Sequence, residues 1–149
     1  MTVVIEMPKK KQRQRKKSYE EIVYAVARKH RRFASEAYFF VFDALSVAQK
    51  IVVAKRTPDG PELHVSGQEL LEGIRRLARR EFGYMAKTVF ETWGVTTTED
   101  FGRIVFDLVD AQLMHKTETD TIDDFRNSYD FSRAFESENL YLGEWKVGE

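Results

Sequence analysis

Three histidines, a run of aspartates and two sets of cations are the side chains in this sequence whose types suit chemistry. His30, His64 and His115 lie far apart, and none has a second histidine at the spacing that puts two imidazoles on one helix face. His64 stands just before a helix start and is the candidate for a proton switch or a ligand, though a surface or core histidine is the plainer reading. Asp120, Asp123 and Asp124 fall within residues 119–124, but the run lacks the mid-loop glycine and terminal glutamate of a calcium loop. It reads as an exposed acidic turn. Asp43 interrupts an apolar stretch and reads as a satisfied core or edge carboxylate rather than a catalytic one. The chain has no cysteine, which excludes disulfides, thiolate catalysis and cysteine-held metals. It has no glycine-rich phosphate loop and no nucleophile elbow. No catalytic residue, cofactor or metal ligand is therefore assigned.

The cations are more numerous. Lys9, Lys10, Lys11, Arg13, Arg15, Lys16 and Lys17 crowd residues 1–17 around no core residue, a composition that predicts a disordered arm when unbound. Such an arm holds an anionic polymer through counterion release, without base preference, while a solubilising tail is the plainer reading. Arg75, Arg76, Arg79 and Arg80 recur along a predicted helix. They offer either a solvated face or a surface for phosphate or an acidic partner.

Helices must position these groups. Ser66 and Glu69 have the spacing of a capping box, in which each side chain accepts a hydrogen bond from the other's backbone N–H. Leu70, Ile74, Leu77, Ala78 and Phe82 then recur at helical intervals up to Gly83, a left-handed cap position. A second helix over residues 84–93 follows at once and stops at Gly94. Ser18 and Glu21 repeat the box at the head of a helix over residues 18–30, closed by Arg28, Lys29, His30, Arg31 and Arg32. Residues 35–54 predict a third helix, apolar nearly all round and broken only by Asp43, Ser46, Gln49 and Lys50. Its length invites a membrane reading. An aspartate and a lysine near its centre would each cost about 2.5–3.5 kcal/mol on insertion, so a core helix is expected, with any leftover face open to a second copy. Residues 55–62 turn around Pro58, Asp59 and Gly60. Thr97 or Thr98 caps a helix reaching to about residue 112, buried through Phe101, Ile104, Val105, Leu108 and Val109. Residues 113–117 and 125–131 are expected to pair as a small hairpin, with a helical turn at 132–135.

The chain has 149 residues, 42% of them hydrophobic, enough for one domain with its own core. The expected division is a basic arm (1–17), one helical domain (18–135) and a tail (136–149). The formal net charge of zero hides an asymmetry: residues 1–35 hold 11 Lys/Arg against 3 Asp/Glu, and residues 98–149 hold 5 against 13. Such a chain clamps on itself, pairs head to tail, or offers two partner surfaces. No amino-terminal apolar run fits a secretory signal, so the expected compartment is the cytoplasm.

The words HVSGQELLEGIRRLA, FG-x-MA-x-TV, WG-x-x-x-TEDFG-x-IVF-x-LV and KTETDTIDDF-x-x-x-YDF occur together in this order. Together they resemble a family of small bacterial proteins of unknown function, over about residues 19–135. The resemblance implies a shared fold and transfers no activity, ligand or catalytic residue.

The fold class expected is mainly α: about five helices with a small carboxy-terminal hairpin, in winged-helix-like order. A winged helix would make residues 98–112 its recognition helix, yet Glu99, Asp100, Asp107 and Asp110 there face only Arg103. In a major groove those carboxylates would meet phosphates, so this helix is expected to meet protein or core. Three functions remain open. The favoured one is a non-enzymatic interaction or regulatory module acting on a protein partner, a homodimer included, with no membrane involved. The second is a nucleic-acid-associated protein using the arm and the four arginines. The third is an enzyme built around His64.

Overall fold

The computed structural model describes residues 18–55, 65–116 and 120–136. The arm, the turn around Pro58, His64 and residues 137–149 lie outside them. The described chain is mainly helical: α1 (Tyr19–His30), α2 (Ser35–Lys55), α3 (Gly67–Phe82), α4 (Ala86–Thr92), α5 (Thr98–Asp110) and a short α6 (Phe131–Phe135). Two 3-10 turns, Gly83–Met85 and Ile122–Phe125, complete it.

The helix starts obey local hydrogen-bond chemistry. Ser18 and Glu21, Ser66 and Glu69, and Thr97 and Asp100 each form a reciprocal capping box. Gly83 takes a positive φ of 55° at the end of α3, but its ψ of −129° lies outside the left-handed helical region expected there. The segment expected as one helix over 84–93 instead opens with a 3-10 turn, which throws Tyr84 and Met85 outward before α4 begins.

α2 is the spine. Ala37, Tyr38, Val41, Phe42, Leu45, Ala48 and Val52 are buried on it, in one core running from Val23 to Phe135. Its exposed stripe carries Glu36, Asp43, Ser46, Lys50 and Val53. The polar interruptions therefore share one outward line, as a core helix requires. Ser35–Ala54 is also long and apolar enough to cross a bilayer, and half of it is packed inside protein. Against α2 lies α3, brought close by small side chains. A Cβ built on Gly73 would stand 2.7 Å from the Ala44 carbonyl oxygen and 2.9 Å from Ala48 Cβ.

Among the described residues there is no strand, so the expected hairpin finds no support there. Leu113 and Met114 are buried where the chain leaves α5, and the expected return strand is split. Thr121 and Asp124 make a fourth capping box, which winds Ile122–Phe125 into its 3-10 turn. Asp130 accepts from the Arg133 N–H and starts α6. Short-range capping by aspartates thus wins over pairing. The apolar residues between them act as separate anchors for a strap laid over α3 and α5. Phe125 is the deepest, set against Gly67 of α3 and Gly102 of α5. Thr98 donates to the Phe125 carbonyl at 2.6 Å and accepts from the Ser128 N–H at 3.1 Å. Gln68 donates to the Asp124 carbonyl, and Tyr129 donates to the Leu71 carbonyl at 2.8 Å. α5 itself is core, with Phe101, Ile104, Val105 and Leu108 all buried.

Candidate functional site

A polar cluster built on a buried carboxylate sits where the α1–α2 corner meets α5. Its centre is Asp107, whose side chain is almost fully buried. The Tyr38 hydroxyl donates to its Oδ2 at 2.6 Å. The Arg32 guanidinium donates to Oδ1 and Oδ2 at 3.1 and 3.3 Å. His30 Nε2 lies 3.5 Å from Oδ1. An acid in the last turn of a helix faces the negative end of the dipole, so cations from another element must offset it. α1 ends in cations because the same rule favours them there. The opposite charges of the sequence meet across the fold at this point.

Backbone geometry holds the corner in place. Arg31 closes α1 in the left-handed region, φ 55°, with its N–H on the Ala27 carbonyl. Gly94, at φ 90°, lets the loop after α4 press against the corner. A Cβ there would come within 2.7 Å of the Arg32 carbonyl oxygen. The Ala34 N–H donates to the Trp93 carbonyl at 3.0 Å.

Both Asp107 oxygens are committed to these partners. Elsewhere the described residues line a cleft. The cleft, of about 340 Å³, is lined by Thr96, Thr97, Thr98, Glu99, Asn127, Tyr129, Asp130 and Phe131. It opens at the amino end of α5, where Thr97 accepts from the Asp100 N–H and Asp100 accepts from the Thr97 N–H.

Of the sequence candidates, the four α3 arginines do not form one free cationic face. Arg75 and Arg76 both donate to Glu72, at 2.8 and 2.9 Å. Burial pushes the Glu72 carboxyl up, but these hydrogen bonds and charges outweigh it and hold the group below its usual range. Arg79 donates to the Ala134 carbonyl at 3.1 Å and fixes the strap. Arg80 is exposed on the same helix. The seven cations of the arm and His64 lie outside the described residues, and His115 is exposed beyond α5. Among the described residues no group of three His, Asp or Glu side chains could hold a metal ion. Asp43 lies on the exposed stripe of α2. Partial burial and the Glu81 carboxylate raise its pKa. Tyr38, Arg32 and Asp107 were not foreseen as a set. The available signal was an aspartate in the last turn of an otherwise amphipathic helix.

Comparison of the chain with protein-family models, with curated proteins and with solved structures finds no match in any of the three.

Three tyrosines give this arrangement a pH signature. Burial, then the hydrogen bond to Asp107, raises the pKa of Tyr38; burial also raises that of Tyr129. Burial, with Asp43 and Glu20 nearby, pushes Tyr19 from 10.0 to about 12. Each phenol holds its proton more tightly folded than unfolded. Their contribution to stability is complete below pH 10.0, the ordinary tyrosine value, and is lost as pH rises above it. Absorbance titration should show Tyr38 and Tyr129 ionising only together with loss of helical circular dichroism. Y38F and Y129F should each remove part of that coupled step. Full phenolate absorbance in a protein that stays folded would contradict the burial of these rings.

Proposed function

We propose that this chain is a non-enzymatic protein-interaction module, and that its first partner is a second copy of itself. The observation that carries the proposal is the joint between α3 and α4. Tyr84 and Met85 are 46% and 56% exposed there, side by side on the 3-10 turn. They continue from Phe82, half-buried, whose ring lies 5.7 Å from Phe40 and 5.9 Å from Trp93. Isolated exposed apolar residues are ordinary on protein surfaces, but a tyrosine and a methionine joined to a half-buried aromatic rim have the composition of an interface centre. The exposed stripe of α2, the dimer face expected from sequence, carries Glu36, Asp43 and Lys50 and suits water better. In this reading α2 is a core helix and the protein works off the membrane, in the cytoplasm.

The resemblance to small bacterial proteins belongs to the same proposal, as a packing signature. Its words supply Gly73, Gly94 and Gly102, where an added Cβ would meet a neighbour at 2.7 to 2.8 Å, and Phe125, the ring that Gly102 faces. A winged-helix ancestry has the helix order in its favour and the acidic α5 against it.

Sedimentation equilibrium of the full chain tests the reading. The parent should dimerise in the micromolar range, and a Y84S/M85S double variant should weaken that association at least tenfold with its melting temperature kept. A monomer at all concentrations would overturn it.

A further inference from the structure

We propose that the outer side of the α1–α2 corner is a docking surface for the sugar–phosphate backbone of single-stranded nucleic acid, centred on Arg28, Lys29 and Arg31. The run Arg28-Lys29-His30-Arg31-Arg32 divides into two groups. His30 and Arg32 turn inward to Asp107. Arg28, Lys29 and Arg31 are exposed, and among the described residues none of the three has a carboxylate partner. Four arginines elsewhere find acids: Arg75 and Arg76 on Glu72, Arg103 on Glu99 and Asp100, Arg126 on Glu99 and Asp123. The corner therefore concentrates cations with no ion-pair partner among the described residues.

An aromatic residue completes the surface. Tyr24 lies one helical turn before Arg28 and is 48% exposed, with its ring edge-on to Phe39 at 5.5 Å. A cationic track beside an exposed ring is the arrangement that holds single strands, where phosphates meet the charges and a base stacks on the ring. In sequence the seven cations of residues 9–17 precede α1, whose 12 residues span about 18 Å. Glu20 and Glu21 sit at that far end, and Glu36, in the first turn of α2, is an exposed acid beside the three cations of the corner.

The probe is a fluorescein-labelled 20-nucleotide thymidine strand, followed by anisotropy on the full chain across a salt series. Neutralising three phosphate contacts should flatten the slope of log K against log salt by about 0.7 per charge, so about 2 for R28Q/K29Q/R31G. Y24S should lower affinity several-fold without changing the slope. R31G alone should leave the melting temperature unchanged or raised, since glycine suits that backbone, which separates charge loss from unfolding. Any of three results would overturn the proposal: an unchanged slope in the triple variant, binding lost only when residues 9–17 are neutralised, or charge-dependent binding to phosphatidylserine vesicles with none to the strand.

Discussion

F125A is expected to lower stability by about 3–5 kcal/mol, the range for emptying a buried aromatic site. The ring is fully buried between α3 and α5, and the strap that carries it has no regular pairing to hold it otherwise. G102A should cost less but act at the same place, because its new Cβ would stand 2.8 Å from the ring. The two sites therefore predict a size exchange. F125L opens room for the methyl of G102A, and the double variant should be more stable than the sum of the two losses allows. Urea denaturation of the four proteins checks it. Strict additivity would show that Phe125 does not pack on Gly102.

G73V should be comparably damaging for a different reason. Here the obstacle is backbone: the Ala44 carbonyl oxygen lies 2.7 Å from the Cβ position, and a carbonyl cannot rotate away without breaking the α2 ladder. Overpacking of this kind costs about 1–3 kcal/mol, and a β-branched residue aimed at a helix axis belongs at the upper end or beyond. Removing the second neighbour does not help. A48G leaves the oxygen in place, so it should fail to rescue G73V, in contrast to the Phe125 pair. Recovery of stability in G73V/A48G would mean that the helices cross with more freedom than these distances allow.

The sequence was most legible where structure is decided within four residues. The boxes at Ser18 and Ser66 and a threonine cap at 97 or 98 locate three helix starts, and glycines 83 and 94 locate two ends. Helical spacing of Leu70, Ile74, Leu77 and Ala78 found the buried face of α3. The hairpin expected over residues 113–117 and 125–131 has no strand among the described residues, where the capping box of Thr121 and Asp124 and the cap at Asp130 wind the chain into short helical turns. The Asp107 cluster was hidden for a deeper reason. Arg32, Tyr38 and Asp107 lie on three elements, and only the crossing of α5 over the α1–α2 corner brings them together. The arginines of α3 were visible as a row, but their engagement with Glu72 and Ala134 depends on side-chain reach and on where the strap lies.

The central claim is that the molecule meets its partner through the α3–α4 joint. The most direct measurement is a concentration series of amide nuclear magnetic resonance spectra on the full chain. Shifts that grow with concentration should gather at Phe82, Tyr84, Met85 and Trp93. Shifts gathered on Glu36, Asp43, Ser46 and Lys50, or none at any concentration, would contradict it.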